Sequence, residues 1–411
     1  MNSILIIGNV WPEPNSSAAG ARMLQLIQLF LSEGWKITFA STAAESNHMH
    51  NIETLGVKKA NIEINNDSFD NFLNKLHPNI VVFDRFMTEE QFGWRVTKHL
   101  PDTLKILNTE DLHCLRKTRQ EAFKAGTTFN YSDLKKSDIT KREIASIYRC
   151  DLSLIISDFE TNLLKKEFNI DKELTHHLPF LLDSITEETK QKWPTFSKRN
   201  HFITIGNFRH EPNWNSILYL KETIWPLIKK QLPEVELHIY GAYPPPKATQ
   251  LHNAQQGFHI KGWAKNAQEV MKQARVCLAP LRFGAGIKGK LAEAMLCGTP
   301  SITSSIGAEG MLGEDSDWNG FIKDKPEEFA NAAVKLHNNQ NIWSQAQQNG
   351  IEIINTLFSK EKYSNQFIQK IVELQNNLEN HRSKNFIGSM LQYHTLRSTE
   401  FMSRWIEEKN R

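Results

Sequence analysis

The stretch APLRFGAGIKGKLAEAM, from Ala279 to Met295, decides the fold class of this chain. It passes from a short apolar run through a glycine-rich loop into a helical pattern, which predicts one strand–loop–helix unit. Gly284, Gly286 and Gly289 allow the backbone of the loop to approach a ligand closely. Because the amides at a helix start point outward and favour an anion, the unit is typical of an anion-binding turn.

Two lysines and a glutamate make the predicted chemistry of this turn more specific. Lys288 and Lys290 place cationic donors beside the loop amides, which is the combination that a diphosphate requires. Glu293 follows about one helical turn later, where a carboxylate can accept hydrogen bonds from the two hydroxyls of a ribose. A tight turn with solvated lysines is the alternative, and the residues alone favour the two interpretations equally.

Similar units recur on both sides of this stretch. Continuous apolar runs, rather than alternating ones, indicate strands covered on both faces, as in a parallel sheet. Repeated strand–helix units indicate two doubly wound, Rossmann-like α/β domains in tandem. The predicted strands are Ile4–Ile7, Lys36–Ala40, Asn79–Phe83, Lys105–Leu107 and Leu152–Ile156, then His201–Ile205, Glu236–Tyr240, Phe258–Ile260, Val276–Ala279 and Ser301–Thr303.

A break between the two series sets the predicted domain boundaries. The segment from Leu182 to Asn200 is charged and poor in residues of the buried type. We predict a first domain at 1–182, a linker at 183–200, a second domain at 201–380 and a tail at 381–411. In the tail, apolar residues recur at helical spacing and pack on the protein's own core or on a membrane surface. They are Phe386, Ile387, Met390, Leu391, Tyr393, Leu396, Phe401 and Trp405.

Composition excludes several classes of protein. A formal net charge of +3, from 49 Lys and Arg against 46 Asp and Glu, gives no reason to expect a nucleic-acid partner. The four cysteines show no paired spacing of the kind that binds zinc. No apolar segment approaches the roughly 18 residues of a membrane helix. We therefore expect a cytoplasmic protein, with peripheral contact at the inner face of the membrane left open.

A family resemblance adds to these inferences. The run Pro280–Met295, together with Cys297–Pro300 and Gly307–Gly310, resembles the donor-binding signature of the GT4-like retaining glycosyltransferases, also called glycosyltransferase group 1. The resemblance covers most of the chain and is strongest at 206–311. It implies a GT-B fold, in which two Rossmann-like domains face a cleft and a C-terminal helix crosses back to the first domain.

The resemblance also assigns roles in the second domain. The glutamate matching Glu293 holds the nucleotide ribose in that family, and the loop matching Gly284, Ala285, Gly286 and Ile287 meets the diphosphate and the sugar. Many members carry a second glutamate where this chain has Ala285. We expect the backbone amides of the loop to replace it.

A second cation site is implied at the first strand of this domain. The family often places an arginine directly after the glycine that matches Gly206, but Asn207 occupies that position here. We therefore assign the role of that arginine, binding the diphosphate, to Arg209, with Lys288 as the second cation. A surface arginine is the competing interpretation.

Two further loops match donor-binding segments of the family. Gly262 and Trp263 resemble the strand-end loop that receives the nucleobase. Gly20 lies in the first loop, where a glycine pair commonly faces the donor phosphate, and Ala19 replaces the other glycine.

In the first domain, a strand ends in Asn108-Thr109-Glu110-Asp111-Leu112-His113. Carboxyl ends of strands form the ligand-binding edge of such a sheet, and relatives carry a similar Asp-x-His-x-x-Arg segment. Asp111 and His113 are therefore predicted to contact the transferred sugar or to orient the acceptor. Glu160, near the end of a neighbouring strand, is taken as structural.

The predicted function is a retaining, hexosyltransferase-like enzyme that moves a sugar from a nucleotide-diphosphate donor to an unidentified glycan, lipid-linked or protein acceptor. Surface polysaccharide or glycoconjugate synthesis is the expected pathway. No metal or other cofactor is expected, since Arg209, Lys288 and the loop amides supply the counter-charge. A nucleotide-sugar epimerase and a non-catalytic binding scaffold remain as alternatives.

Overall fold

A computed structural model of the chain describes residues 2–313 and 316–410; within these, the side chains of residues 396, 397 and 410 lie outside the description. The described residues form two fully parallel sheets, of seven and six strands. The first contains β1 (Ser3–Gly8), β2 (Lys36–Ser41), β3 (Lys58–Asn61), β4 (Ile80–Asp84), β5 (Leu104–Asn108), β6 (Leu152–Ile155) and β7 (Thr175–His177). The second contains β8 (Phe202–Ile205), β9 (Leu237–Tyr240), β10 (Phe258–Gly262), β11 (Val276–Ala279), β12 (Ser301–Thr303) and β13 (Gly320–Ile322).

Helices connect the strands and cover both faces of each sheet. The helices of the first half are α1 (Ala18–Ser32), α2 (Ser68–Leu76), α3 (Phe86–His99), α4 (His113–Ala125), α5 (Tyr131–Lys136), α6 (Asp138–Arg149), α7 (Asp158–Phe168) and α8 (Glu187–Gln191). Those of the second half are α9 (Glu211–Tyr219), α10 (Trp225–Gln231), α11 (Pro246–Thr249), α12 (Ala267–Gln273), α13 (Gly289–Leu296), α14 (Ser305–Ala308), α15 (Pro326–Asn338), α16 (Gln340–Leu357), α17 (Lys360–Asn376), α18 (Leu378–Lys384) and α19 (Phe386–Asn410). Short 3₁₀ turns lie at Ile52–Leu55, Lys172–Leu174 and Phe196–Lys198, and a π turn lies at Leu220–Ile224.

The predicted fold class is confirmed. In β1 the four residues Ile4–Ile7 are all buried, and they alternate between two separate apolar cores, one on each face of the sheet. This two-sided burial is the physical reason for the continuous apolar runs in the sequence.

Each sheet reverses its strand order at one point. The first has the order β3-β2-β1-β4-β5-β6-β7 and the second β10-β9-β8-β11-β12-β13. The reversals therefore fall between β1 and β4 and between β8 and β11. In open α/β sheets ligands bind beyond the carboxyl ends of the strands at such a point. The loops after these four strands are therefore the expected location of a ligand site.

The last helices return to the first domain, as predicted for the tail. Tyr363, Phe367, Ile371 and Leu374 of α17 lie in the core that covers one face of the first sheet. The division at residue 380 stays a prediction, although this packing joins α17 physically to the first sheet.

Helix α19 lies against α3 and α6 and is fixed there by charged contacts. Arg95 of α3 pairs with Glu407, and Asp70 accepts hydrogen bonds from Arg95 at 2.6 Å and from Arg404 at 3.1 Å. None of the helices in the described part of the chain is long and apolar enough to cross a membrane.

Candidate active site

The glycine loop, residues 280–288, connects β11 to α13 at the reversal point of the second sheet. Gly286 has a φ of +63°, a left-handed conformation that favours glycine. Helix α13 begins at Gly289, so its first amides lie at the end of the loop. The strand–loop–helix unit read from the sequence is therefore present in the fold.

The glycine loop packs directly against the first domain. A Cβ atom on Gly286 would lie 2.7 Å from the Cβ of Asp111, and one on Gly289 would lie 2.5 Å from the Cβ of Ala18. Both distances are too short for side chains. The two glycines are required because two domains meet here, and this contact brings the loop to the predicted Asp111 segment.

Glu160 joins the two domains at the same place. Its Oε1 atom accepts hydrogen bonds from the amide of Gly286, at 2.8 Å, and from the amide of Leu112, at 3.1 Å. Its Oε2 atom is buried without a hydrogen-bond partner among the described residues. Burial, with a contribution from Asp111, raises the pKa of Glu160 to about 8. The Gly286 amide, which we expected to face the sugar, is thus already occupied.

Arg119 makes a second connection between the domains. From α4 of the first domain it donates to the carbonyl of Gly284 at 2.9 Å and forms two hydrogen bonds, of 2.7 and 2.8 Å, with the carboxylate of Glu309. Two parallel bonds of this kind fix geometry as well as adding energy. The glycine loop is therefore held at both Gly284 and Gly286 by first-domain side chains.

The two lysines of the motif have different surroundings. Lys288 is buried and its Nζ atom donates to the carbonyl of Gly286 at 2.7 Å. Loss of hydration, opposed by Glu309 and Glu160, lowers its pKa to about 8. Lys290 lies in the first turn of α13 and makes no hydrogen bond within the described residues; desolvation also lowers its pKa to about 8. Lys288 supports the loop with one of its three donors, whereas none of the donors of Lys290 is used within the described residues.

Glu293 also has an unused functional group. It follows Lys290 by three residues on α13, so the two share a helix face. Its carboxylate makes no hydrogen bond among the described residues, and burial raises its pKa to about 7. A carboxylate in this position is suited to accept hydrogen bonds from ligand hydroxyls.

Asp111 and His113 lie together at the start of α4. His113 Nε2 is 3.4 Å from Asp111 Oδ1, and Arg116 pairs with the other carboxylate oxygen of Asp111. Burial alone would raise the pKa of Asp111, but Arg116 and His113 overcome it and hold that pKa well below its usual range. Desolvation outweighs Asp111 and lowers the pKa of His113 to about 3. His113 is therefore a neutral imidazole at neutral pH.

A cavity of about 230 Å³ lies between the loops that follow β1, β4 and β8. Gly20 and Arg209, two of the predicted site residues, both line it. The guanidinium of Arg209 lies 3.8 Å from the ring centre of Tyr243, and the hydroxyl of Tyr243 donates to Glu13 across the cleft at 2.8 Å. The cavity is thus bounded by both domains.

The remaining predicted residues lie near the ends of β8 and β10. Gly206 packs against the side chain of Asn213, and Gly262 has a φ of +75° with open space beside it. Trp263 is 40% exposed and donates from Nε1 to the carbonyl of Asn15 in the first domain, at 3.2 Å. The indole thus lies where the two domains meet at the rim of the cleft.

Two predicted loop residues have packing roles. Ala285, which stands where many relatives carry a glutamate, belongs to an apolar core of the first domain. Ile287 is buried with Ile156 and Phe180. An ionised glutamate at position 285 would place a charge in an apolar cluster, so the alanine agrees with its surroundings.

Residue contacts over long sequence separations were not accessible to sequence analysis. Glu160, Arg119, Glu309 and Tyr243 connect the domains, yet none was predicted as a site residue. Glu309 lies in the quoted motif Gly307–Gly310, which is the one signal that pointed toward it.

Residues 199–339 match the family described as Glycosyl transferases group 1. This part of the chain is therefore similar to the group 1 glycosyltransferases. The match begins just before β8 and ends after α15, so it includes the whole second sheet and the glycine loop. A comparison with curated proteins gives no match.

Solved structures show the same GT-B architecture over both domains. Sucrose-phosphate synthase from Thermosynechococcus elongatus is 15% identical, with a TM-score of 0.66 over 91% of this chain and 99% of that one. TarM from S. aureus, in complex with UDP and α-GlcNAc-glycerol, is 11% identical, with a TM-score of 0.67 over 92% and 100%. HepE from Anabaena, in complex with UDP and glucose, is 12% identical, with a TM-score of 0.64 over 90% and 100%.

Proposed function

We propose that this chain is a glycosyltransferase that moves a sugar from a nucleoside-diphosphate donor to an acceptor in the cleft. The observation that carries the proposal is the first turn of α13. There Lys290 and Glu293 have no hydrogen-bond partners among the described residues, while the neighbouring Lys288 and Glu160 both bond to Gly286. A cation beside helix-start amides, followed by a carboxylate, matches a diphosphate followed by a ribose.

The donor would extend from α13 toward the rim of the cleft. The amides at the α13 start and Lys290 hold the diphosphate, and Glu293 accepts hydrogen bonds from the ribose hydroxyls. Gly262 and Trp263 border the nucleobase. Uridine nucleotides are the first donors to test, because TarM and HepE have been crystallised with UDP.

Charge development during the reaction agrees with this arrangement. Cleavage of the bond between sugar and phosphate leaves negative charge on the departing diphosphate, which Lys290, Arg209 and the helix-start amides stabilise. Neutral His113 contacts a hydroxyl of the transferred sugar, on the first-domain side. Closure of the domains around the donor excludes water and limits hydrolysis.

The finer features of the reaction belong to the same proposal. We propose transfer of a hexosyl group with retention of configuration and without a metal ion. Metal-dependent sugar transferases use a pair of aspartates spaced Asp-x-Asp. The sequence contains one such run, at 315–317, of which Asp315 lies outside the described residues. An assay with and without a chelator tests metal independence directly. Cytoplasmic synthesis of a surface polysaccharide or another glycoconjugate is the proposed setting.

Thermal stability in the presence of UDP-, GDP- and ADP-sugars tests the donor site. A ligand that binds only the folded state raises the melting temperature by mass action. We expect a shift with one nucleotide family, lost in Glu293→Ala and kept in Glu352→Ala, a matched change of an exposed glutamate on α16. No shift with any donor at millimolar concentration would contradict the proposal and favour a non-catalytic scaffold.

A further inference from the structure

The outward side of α19 carries an unusual amount of exposed apolar surface. We call this set of seven side chains the apolar stripe: Phe386, Ile387, Met390, Tyr393, Phe401, Met402 and Trp405. Their exposed fractions run from 45% to 76%. Single exposed apolar residues are normal on a soluble protein, but seven on one helix, in two groups at 386–393 and 401–405, indicate an interaction surface.

The opposite side of α19 contacts the first domain through hydrogen bonds and ion pairs. Ser403 is buried and accepts a hydrogen bond from Arg95 at 3.2 Å, and Gln392 donates to the carbonyl of Arg149 at 2.8 Å. Lys98 of α3 pairs with Glu400. Because the polar side of the helix faces the first domain, the apolar stripe points away from the protein's own core.

The charges around the apolar stripe favour an anionic partner. Residues 381–411 contain six Lys or Arg and three acidic residues. Two of these acids are paired, Glu400 with Lys98 and Glu407 with Arg95 and Arg404, and the basic residues Arg382 and Arg404 are paired with Asp151 and Asp70. Exposed lysines lie at both ends of the stripe: Lys384 precedes it, and Lys409 lies 5.2 Å from the ring of Trp405.

The apolar stripe is too small to form a stable dimer interface with a second copy of the chain. From Phe386 to Trp405 the helix is about 29 Å long, and the side of one helix is about 10 Å wide. That gives about 300 Å² per chain, whereas a stable protein interface buries about 800 Å² on each partner. A bilayer needs no such matched area, and its interface favours tryptophan, tyrosine and basic residues on an amphipathic helix.

We propose that the apolar stripe of α19 docks this protein onto an anionic lipid bilayer, with the helix lying in the membrane surface. The first domain, to which α19 is anchored, is then held at the membrane with a fixed orientation. This proposal stands independently of the donor assignment, because it uses none of the cleft residues.

Vesicle flotation of the full chain tests the proposal. We expect binding to vesicles of phosphatidylcholine mixed with phosphatidylglycerol, and weaker binding to phosphatidylcholine alone or at high salt. The triple variant Phe386→Ser, Phe401→Ser, Trp405→Ser should lower vesicle affinity by about tenfold or more, since each aromatic side chain contributes buried apolar area. Val372→Ser, at a 45% exposed apolar position on α17, is the matched control and should bind as the native chain does.

A second variant separates loss of contact from loss of folding. Lys384→Glu with Lys409→Glu leaves the apolar stripe intact and should remove the preference for phosphatidylglycerol. The proposal is overturned if the native chain ignores both kinds of vesicle, or if the triple variant binds them equally well. It is also overturned if light scattering shows a dimer that the triple variant converts to a monomer.

Discussion

Two pairs of the same residue types lie near the glycine loop and are used in opposite ways. Lys288 and Glu160 both bond to Gly286, one to its carbonyl and the other to its amide. Lys290 and Glu293, on α13, make no hydrogen bonds within the described residues. Glu160 therefore joins the two domains, Lys288 stabilises the glycine loop itself, and the second pair is left for a ligand. Residue type alone does not separate these roles; the position of each group relative to the domain contact does.

Replacing Gly286 by alanine disturbs the residue to which Lys288 and Glu160 bond, and it should have the largest effect on activity. The new Cβ would lie 2.7 Å from the Cβ of Asp111, at a φ of +63° that a side chain rarely adopts. We expect kcat/KM to fall by about 100-fold because the loop no longer docks on the first domain. Gly34→Ala, at another left-handed glycine but with open space around it, is the control and should keep near-native activity. Equal losses in both variants would contradict a specific contact.

Replacing Lys290 by methionine tests the second pair. A charged hydrogen bond to phosphate contributes about 1.5–3 kcal/mol, so donor affinity should fall by about 10- to 100-fold in calorimetric titration. Lys288→Met provides the comparison, since its ammonium already bonds to Gly286. That variant should lose melting temperature, with a smaller change in donor affinity. If donor affinity falls more in Lys288→Met than in Lys290→Met, the diphosphate binds Lys288 and our assignment to Lys290 is wrong.

The pH dependence of donor binding sharpens the same assignment. With its pKa lowered to about 8, Lys290 loses its proton as the pH rises through that value. Only the charged form attracts a diphosphate, so the Kd should rise above pH 8 by up to about tenfold per pH unit. In Lys290→Met the rise in Kd should be clearly smaller, with only the titration of Lys288, Glu160 and Glu293 left in this range. A native Kd that does not change between pH 7 and pH 9, on a buffer series of constant ionic strength, would contradict the assignment.

The smallest effect is expected for Glu160→Gln, and it depends on pH. The pKa of Glu160 is raised to about 8 in the folded chain, against about 4.3 for an unperturbed glutamate. Between these values the folded state binds more protons than the unfolded state, so native stability falls as the pH rises through this window. Glutamine accepts the same two amide hydrogen bonds without the charge.

The melting temperature of Glu160→Gln should therefore lie a few degrees above that of the native chain at pH 8.5. Near pH 4.5 the two melting temperatures should be equal. Glu352→Gln, an exposed change, controls for net charge. A melting temperature of Glu160→Gln that lies below the native value at pH 8.5 would show that the ionised carboxylate is needed.

Local patterns explain why so much of the fold was predictable. The continuous apolar runs of Ile4–Ile7 and Val276–Ala279 follow from burial on both faces of a parallel sheet, and the glycine spacing follows from the turn into α13. The tail helix was predicted from its apolar spacing, although the side chain of Leu396 in that pattern lies outside the described residues. Each of these features is determined by residues close together in the chain.

The site was less predictable because it depends on contacts between distant residues. Nothing near Glu160 indicates that it bonds to Gly286, which is 126 residues away. The motif contains two lysines, and the sequence favoured Lys288, whereas in the structure Lys290 is the one of the two that makes no hydrogen bond among the described residues. The roles of Asp111, His113, Arg209 and Glu293 stay predictions until a donor is bound.

Calorimetric titration of UDP, GDP and ADP into the native chain and into Lys290→Met with Glu293→Ala tests the central claim most directly. We predict that one nucleotide binds the native chain and that the double variant, which keeps every interdomain hydrogen bond described above, binds it at least about 100-fold more weakly. Equal affinity in the two proteins would place the nucleotide elsewhere and contradict the assignment of the unused pair on α13.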